Sequence, residues 1–336
     1  NILKQDALSI GADLAVPKGT VVAKDPFVDV ILIANARQLK ILLVKEKAQP
    51  FGLKLLAQKL ENFITNQQIQ AIQVMGIINV NEDSFYEKSR VKSKETLLQA
   101  IKMLEDGANI LDIGGVSSRP GSVAITQEEE FSRIKESIDL LYSEKLHEKT
   151  HLSLDSYSPK VIHYALERGF KIVNDITGLA NDEVAKLCGE YNAMAVIMHM
   201  QGRPETMQVN PQYNAVIEEI DIFFNERIEK AIKFGIKSLA LDVGIGFGKN
   251  LEENLLLIQH QQHFRHFGFP LLIGASRKSL INELSKSTSE ERLPGTLAIH
   301  LKAIEEGASI VRVHDVKEHV QAIKIWEALN KGLIHG

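Results

Sequence analysis

Carboxylate and amide side chains recur in this sequence at the ends of short apolar runs, where a ligand could meet them. They are Asn79, Asp112, Asp155, Asn174 and Asp242. Carboxylates that become buried need hydrogen-bond donors. A ligand rich in N–H groups, such as an aminopyrimidine ring, would supply those donors to the three aspartates. The alternative is that the aspartates form internal salt bridges with Arg277 or Lys278.

Positively charged side chains form a second group. Its members are Arg119, Lys278, Arg312 and His314. Lys278 lies in the segment GASRKS (274–279), which is predicted to open a helix, and the free N–H groups of a helix N-terminus attract anions. These charges indicate a phosphorylated or diphosphorylated substrate. The alternative is that Arg119 and Arg312 pair with neighbouring aspartates and close the rim of the fold.

The elements that position these side chains alternate from about residue 70 onward. Eight apolar runs are predicted to be strands: 73–79, 109–114, 151–155, 171–174, 193–198, 238–242, 270–274 and 309–313. Longer amphipathic stretches separate them, and several end in a glycine, as helices often do: Gly107, Gly169, Gly235 and Gly307. Nearly continuous apolar strands are typical of parallel sheets that are covered on both faces. Eight such units predict an α/β fold, the (β/α)8 TIM barrel, and the alternative is an open doubly wound sheet of about five to seven strands.

A barrel would bring the polar side chains together, because ligands bind at the C-terminal ends of its strands. The segments GASRK (274–278) and RVHD (312–315) follow or end the seventh and eighth strands, where this fold usually binds phosphate. We therefore expect a single site in the barrel mouth. The segment GIGFG (244–248) does not have the dinucleotide-binding spacing. The sequence shows no zinc-type His/Cys cluster and no Ser-His-Asp order.

Residues 1–68 do not fit this repeat. DVILIA (29–34) is predicted to be a strand, and ARQLKILLVKEKA (36–48) and FGLKLLAQKLENFI (51–64) are predicted to be helices. We interpret them as a small N-terminal α/β extension of unreadable role, followed by the barrel over residues 69–336.

The bulk composition narrows the class of protein. A net charge of −4 argues against a general binder of nucleic acid or of a membrane surface. Cys188 is the single cysteine, so no internal disulfide can form, and a reducing cytoplasm is expected. No apolar run approaches the roughly 20 residues of a membrane helix. No signal peptide is predicted at the N-terminus.

The ordered motifs of residues 72–330 resemble those of the dihydropteroate synthase family. They are QVMGIINVNEDSF, DIGGVSSRPGS, LSLDSYS, IVNDITG, VIMHMQGRPETMQ, LALDVGIGFGK, LLIGASRKSLI and IVRVHDV. The resemblance implies the (β/α)8 barrel and a step of folate synthesis that sulfonamides block. In that step p-aminobenzoate displaces diphosphate from (7,8-dihydropterin-6-yl)methyl diphosphate and gives 7,8-dihydropteroate. It also implies Mg²⁺ with the diphosphate, a homodimer, and small molecules rather than nucleic acid or membrane as partners.

The resemblance also implies roles for single residues. The pterin pocket is expected to comprise Asp155, Asn174, Ile176, Met198, Asp242, Phe247, Gly274 and Lys278. The diphosphate is expected at Asn79, Arg119, Arg312 and His314, with Asn79 also near the metal. The p-aminobenzoate side is expected at Ser118, Arg119, Pro120 and Ser276. Catalysis is expected to depend on Asn79, Arg119, Asp155, Lys278, Arg312 and His314.

The sequence departs from the family pattern at a few positions. Asn81 and Glu82 replace the usual Thr-Pro of the first loop, Val116 replaces a usual Glu, and Ser118 replaces a usual Thr. These changes bear on p-aminobenzoate binding and sulfonamide sensitivity. Two alternatives remain: a non-catalytic pterin-binding paralogue, which only the first loop favours, and a pterin-dependent corrinoid methyltransferase, which would not need the cationic GASRK and RVHD segments.

Overall fold

The computed structural model describes residues 2–20, 28–66, 71–80, 89–116, 125–202, 206–207 and 211–331. The expected p-aminobenzoate residues Ser118, Arg119 and Pro120, and the first-loop residues Asn81 and Glu82, lie outside this described part. The chain divides into two compact units. One comprises Asn1–Gln70 with Arg265–Gly268, and the other comprises Ala71–Phe264 with Phe269–Gly336.

The first unit is a small α/β structure. Its elements are α1 (Ile2–Ser9), β1 (Asp13–Ala15), β2 (Ile31–Ile33), α2 (Ala36–Glu46) and α3 (Leu53–Asn66). Strands β1 and β2 pair in antiparallel fashion, with Leu14 opposite Leu32. Asn35 caps α2, because its side chain accepts the N–H of Gln38 while the Gln38 side chain accepts the N–H of Asn35. The predicted strand 29–34 and both predicted helices are present, whereas α1 and β1 were not predicted.

The second unit contains eight parallel strands that close into a barrel. They are β3 (Gln73–Asn79), β4 (Ile110–Gly114), β5 (His151–Asp155), β6 (Ile172–Asp175), β7 (Met194–Met198), β8 (Ser238–Asp242), β9 (Leu271–Ile273) and β10 (Ile310–Val313). Neighbouring strands follow the order β10-β3-β4-β5-β6-β7-β8-β9, and β10 returns to β9. The predicted (β/α)8 barrel is therefore confirmed, and the open doubly wound sheet is excluded.

Helices connect the strands. They are α4 (Ser89–Glu105), α5 (Gln127–Ser143), α6 (Pro159–Leu166), α7 (Asp182–Glu190), α8 (Val216–Lys233), α9 (Leu251–Gln259), α10 (Ser279–Leu284), α11 (Leu293–Glu305) and α12 (Val316–Lys331). Gly107 and Gly235 stop α4 and α8 in the left-handed region, with φ of +101° and +76°. Within the described residues, no helix combines the length and apolar character needed to cross a bilayer.

The barrel interior is filled by one apolar layer with one residue from each of seven strands. Its members are Met75, Ile110, Ile172, Val196, Ala240, Leu272 and Ile310, all at most 5% exposed. Alternate residues of a strand point to the same face. The next inward-facing position on each strand therefore lies two residues further along the chain, one layer closer to the C-terminal mouth.

Candidate active site

The next layer toward the mouth contains four polar or charged side chains. Counting two residues forward from each member leads to Ile77, Asp112, Asn174, Met198, Asp242, Gly274 and Arg312. Six of the seven are residues that the sequence analysis singled out. Asp112 differs from its expected position, because β4 continues to Gly114 and the aspartate is the third of five strand residues. Its side chain therefore lies inside the barrel rather than at the strand end.

Arg312 joins Asp112 of this layer to Asp155 at the end of β5. Its Nε donates to Asp112 Oδ2 at 2.6 Å, and one terminal nitrogen donates to Asp155 Oδ2 at 2.6 Å. Asn174 donates its amide to the same Asp112 oxygen at 3.0 Å. The alternative in which Arg312 pairs with neighbouring aspartates is therefore the arrangement that the structure shows.

The electrostatics of this group follow from its burial. Burial raises the pKa of Asp155 to about 6, and the Arg312 guanidinium opposes that rise. Burial alone would lower the pKa of Arg312, but the charges of Asp112 and Asp155 outweigh it and raise that pKa above its ordinary value. Asp112 Oδ1 is buried and accepts no hydrogen bond. The group therefore retains an acceptor that a ligand N–H could satisfy.

Lys278 and Asp242 are two further charged residues of the mouth, and each affects the pKa of the other. Lys278 Nζ donates to the carbonyl of Ile245 and lies 4.4 Å from the centre of the Phe247 ring. Burial lowers the pKa of Lys278 to about 8, while Asp242 opposes the change. Burial raises the pKa of Asp242, which also accepts the Gly244 N–H at 2.7 Å. A Cβ built on Gly274 would lie 4.0 Å from Asp242 Oδ2, so Gly274 lines the same space.

Two glycines of the segment GIGFG, Gly244 and Gly248, are required by close packing between two loops. A Cβ on Gly244 would stand 1.9 Å from the carbonyl oxygen of His199, and one on Gly248 would stand 2.5 Å from that of Gln201. Both glycines have positive φ. The glycines therefore let the loop after β8 approach the loop after β7, which explains them without a dinucleotide.

Ser276 and His314 face each other across the loops that follow β9 and β10. Their side chains form a hydrogen bond of 2.9 Å between Ser276 Oγ and His314 Nδ1. Beside them Arg277 makes a double ion pair with Asp315, at 3.0 and 2.6 Å. The alternative of a salt bridge from Arg277 to Asp112, Asp155 or Asp242 is not what the structure shows, because the carboxylate partner of Arg277 is Asp315. The predicted helix after GASRK is present as α10, which has six residues.

The remaining predicted residues lie around the same mouth. Asn79 ends β3 and is exposed, while Ile176 and Met198 are buried at the ends of β6 and β7. The structure therefore brings together the expected pterin residues and three of the expected diphosphate residues. The expected fourth diphosphate residue, Arg119, belongs to the segment that the structure does not describe.

Sequence reasoning missed four buried titratable residues near the mouth. Lys249 donates to the carbonyls of His199, Gly244 and Phe247 at 3.3, 3.0 and 2.9 Å, and burial lowers its pKa to about 7. Burial raises the pKa of Glu130, whose neighbours include Asp155, to about 7. His300 and His319 form a buried pair. No local pattern marks these residues, because each acquires its surroundings from other segments of the chain.

Comparisons with known proteins agree with one another. The pterin binding enzyme family matches residues 75–314. A bifunctional dihydropteroate synthase/dihydropteroate reductase of Helicobacter pylori is 42% identical over 330 residues, which are 98% of this chain and 87% of the relative. The dihydropteroate synthase of Escherichia coli K12 is 38% identical over 270 residues, 79% of this chain and 94% of the relative. The structure of Yersinia pestis dihydropteroate synthase with a sulfonamide drug complex has a TM-score of 0.72 and 37% identity, and the match covers 78% of this chain and 95% of that one.

Proposed function

The chain belongs to the pterin binding enzyme family, its relatives are dihydropteroate synthases, and we propose that it catalyses the synthase reaction. The amine nitrogen of p-aminobenzoate forms a bond to the methylene carbon of (7,8-dihydropterin-6-yl)methyl diphosphate. The bond between that carbon and the diphosphate oxygen breaks, and its electron pair leaves with the diphosphate. The nitrogen gives up one proton, and 7,8-dihydropteroate is released.

One observation carries the proposal: buried acceptors and cations meet within a single barrel mouth. Asp112 has an unsatisfied buried oxygen, and the pKa values of Asp155 and Asp242 are raised by burial. An aminopyrimidine ring offers the N–H donors that such carboxylates need. Met198, Ile176 and the Phe247 ring supply apolar surfaces for the faces of the pterin.

The cationic side of the mouth suits the leaving group. Departure of diphosphate builds negative charge on oxygen, which fixed donors and cations stabilise. Arg312 and His314 lie on and directly after β10, and Lys278 follows β9. Because Arg312 is held by Asp112 and Asp155, we propose that it links the two halves of the substrate, with its position set by the pterin carboxylates. This refines the expectation that Arg312 serves the diphosphate alone.

Mg²⁺ is part of the proposal. Across the described residues of the mouth, no three carboxylate, imidazole or thiol groups converge as a ligand cluster. Asn79 offers one exposed amide oxygen at the end of β3, and Mg²⁺ accepts oxygen ligands while it retains several waters. This sparse donor set fits an ion that arrives on the diphosphate. Such an ion would neutralise charge on the departing oxygens.

The nucleophile needs little activation in this scheme. An arylamine is neutral near pH 7, so its nitrogen can attack once it is held beside the methylene carbon. The hydroxyl of Ser276 and the ammonium of Lys278 are proposed to lie at the carboxylate end of p-aminobenzoate. Ser118, Arg119 and Pro120 are proposed for the ring, on the basis of the family resemblance.

The test is a diphosphate-release assay on the purified protein with the dihydropterin diphosphate and Mg²⁺. We expect release that depends on p-aminobenzoate, the formation of dihydropteroate, and inhibition by a sulfonamide. Omission of Mg²⁺ should reduce the rate, and this arm tests the metal separately. Tight pterin binding without turnover would contradict the proposal and favour a non-catalytic paralogue, an alternative that the comparisons do not support.

A second candidate activity is the reduction of dihydropteroate. The Helicobacter pylori relative, whose name includes dihydropteroate reductase, aligns with 98% of the chain and hence with the N-terminal unit. The match to the Escherichia coli synthase covers only 79% of the chain. A reduced flavin or nicotinamide would supply a hydride, and solvent a proton, across the remaining imine bond of the dihydropterin. The product is tetrahydropteroate.

The second activity has its own assay. Anaerobic incubation of 7,8-dihydropteroate with this protein and either NADPH or reduced FMN should yield tetrahydropteroate, detected by chromatography. A reaction without protein is the control for direct reduction. If neither donor consumes dihydropteroate above that control, the chain is a synthase only.

Two further expectations belong to the proposal. A homodimer is carried over from the family resemblance, and sedimentation equilibrium would test it. A cytoplasmic location is supported by the single buried Cys188, which cannot form an internal disulfide. Fractionation of the source cells would test the location.

A further inference from the structure

Two fully buried histidines lie behind the loops of the cationic side. His300 is on α11 and His319 is on α12, and each is 1% exposed. His300 Nδ1 and His319 Nε2 are 3.0 Å apart, a hydrogen-bond distance. Neither histidine belongs to the predicted site, and neither has a role in the proposed mechanism.

The two ends of this pair fix the direction of its hydrogen bonds. At one end the backbone N–H of Ala275, which can only donate, lies 3.1 Å from His300 Nε2. At the other end the carbonyl oxygen of Asp315, which can only accept, lies 2.6 Å from His319 Nδ1. His300 must therefore accept through Nε2 and donate through Nδ1, and His319 must do the same. We call this chain, from Ala275 N–H through His300 and His319 to the Asp315 carbonyl, the histidine relay.

The relay requires both rings to be neutral. A proton on His300 Nε2 would point at the Ala275 N–H, and a proton on His319 Nε2 would point at the proton of His300 Nδ1. Burial lowers the pKa of His300 well below its ordinary value, and His319 and Lys278 add to that effect. Burial also lowers the pKa of His319, which the Asp315 carbonyl opposes. The environment thus supports the neutral form that the geometry demands.

The two ends of the relay, Ala275 and Asp315, lie in the two loops of the cationic side. Ala275 immediately precedes Ser276, Arg277 and Lys278. Asp315 immediately follows His314. The residues between the relay ends also touch each other, through the Ser276–His314 hydrogen bond and the Arg277–Asp315 ion pair. The two loops are thus joined at the front by side chains of the mouth and at the back by the relay.

One residue of the loop after β9 has an unfavourable backbone conformation, which contacts with its surroundings must stabilise. Arg277 has φ of +56°, in the left-handed region that non-glycine residues seldom adopt. A residue in that region persists only where its surroundings determine it. Contacts on both sides of Arg277 supply such surroundings: its own N–H donates to Thr296 Oγ1 at 3.0 Å, and the relay fixes Ala275.

We propose that His300 and His319 are positioning residues, whose relay holds the loops after β9 and β10 in register so that Ser276, Lys278 and His314 converge on the anionic ends of the substrates. The role rests on the proposed function of the mouth. The carboxylates of the pterin pocket lie on β4, β5 and β8, which the relay does not touch. Loss of the relay should therefore affect p-aminobenzoate and the diphosphate group more than the pterin ring.

Two substitutions of His319 separate relay from packing. In His319→Gln the side-chain amide can accept at one atom and donate at the other, so the relay can re-form. In His319→Leu the bulk is retained in part, but both hydrogen bonds are lost. We expect His319→Leu to raise the KM for p-aminobenzoate by about tenfold or more and to lower kcat, since small misplacements of reacting groups are costly. The Kd of a dihydropterin that lacks the diphosphate should change by less than about threefold, and His319→Gln should recover most of the loss in KM for p-aminobenzoate.

An independent readout comes from nuclear magnetic resonance of the wild-type protein with ¹⁵N-labelled histidine. Two-bond proton–nitrogen correlations should show two rings with protonated Nδ1 and bare Nε2, unchanged between about pH 6 and 8. His319→Gln should remove one of these signals. His151→Leu, at an exposed position at the start of β5, is the kinetic control and should match wild type.

The outcomes separate the relay from the proposed function. Finding either ring with a proton on Nε2, or titrating in that pH range, would overturn the relay whether or not the enzyme turns over. Equal KM values for wild type and a folded His319→Leu would overturn the positioning role. It would also be overturned if His319→Gln and His319→Leu lowered activity equally and both weakened pterin binding. If His319→Leu does not fold, the resonance experiment and the kinetics of His319→Gln decide. Absence of dihydropteroate formation by wild type would count against the proposed function alone.

Discussion

Replacement of Asp155 by asparagine is expected to stabilise the ligand-free protein near neutral pH and to weaken pterin binding. Asp155 is 8% exposed, and its Oδ2 accepts one hydrogen bond from Arg312 at 2.6 Å. Asparagine retains the shape and an acceptor oxygen for that guanidinium. It carries no charge that must be removed from water.

The magnitude follows from the pKa of Asp155, which burial raises from 3.8 to about 6. A raised carboxyl pKa means that the folded state binds the proton more tightly than the unfolded state. The stability that Asp155 contributes is therefore fully present below about pH 3.8 and is lost as the pH rises through about 6. A difference of about two in pKa corresponds to about 3 kcal/mol. The pKa of about 6 already includes the attraction of Arg312, so the expected gain at about pH 8 is about 3 kcal/mol.

Urea unfolding of wild type and Asp155→Asn at about pH 8 and about pH 4.5 would measure this difference. The gain should be largest at the higher pH and fall to about a third of that value at the lower one, where folded Asp155 is protonated but the unfolded carboxyl is still mostly ionised. Asp139→Asn is the control of opposite sign. Burial acts to raise the pKa of Asp139, but hydrogen bonds from Lys135, Tyr164 and Arg168 outweigh it and lower that pKa. The control should therefore lose a similar amount of stability at both pH values, because the contribution of Asp139 disappears only as the pH falls below about 3.8.

Calorimetry with the dihydropterin substrate completes the test. Loss of one charged acceptor should weaken binding by about tenfold to a hundredfold. A stability change of the same size at both pH values would refute the link between burial and the raised pKa. Unchanged pterin affinity would remove Asp155 from the pterin pocket, even if the stability result agreed.

Three further predictions concern the loops of the mouth. Lys278→Met should weaken p-aminobenzoate binding by about tenfold, and because burial lowers the pKa of Lys278 to about 8, wild-type binding should fall as the pH rises through that value. Lys278→Arg, which stays charged, should remove this fall in calorimetric titrations. Gly244→Ala places a Cβ 1.9 Å from the His199 oxygen, so it should unfold at clearly lower urea than Gly235→Ala, which shares the positive φ but meets no atom within 4 Å. Lys249→Met leaves three carbonyls without their donor and should lower the unfolding free energy by about 1–3 kcal/mol. That deficit should grow above about pH 7, since the folded pKa of Lys249 is lowered to about 7 and wild type gains stability as the pH rises beyond it.

Each of these predictions has a result that contradicts it. Wild-type binding that does not change between about pH 7 and 9 would show that Lys278 keeps its charge or does not face the ligand. Equal losses for the two glycine variants would mean that positive φ alone, and not the approach to His199, determines the loss. A Lys249→Met protein as stable as wild type at every pH would show that its three hydrogen bonds contribute nothing net.

The barrel could be predicted because its signals are local. Apolar runs of about five residues, each bounded by glycine or polar residues, mark the strands, and the predicted boundaries at 73–79, 151–155 and 238–242 match β3, β5 and β8. The elements α1 and β1 were missed, since a three-residue strand such as Asp13–Ala15 is too short to show a period. Polar residues of the mouth could also be predicted, because Asn174, Asp242 and Arg312 lie at or near the ends of the apolar runs.

What the sequence by itself determined is which side chains enter the barrel mouth, because strand periodicity and strand order fix the inward face of each segment. What only the tertiary structure decided is which of those charges meet. Arg312 and Asp112 are 200 residues apart in the chain, and Arg312 and Asp155 are 157 apart, yet closure of the barrel places each pair at 2.6 Å. The histidine relay arises in the same way, from two helices that pack behind two loops. Pairing energies depend on distance and desolvation, and both are properties of the folded chain rather than of any segment within it.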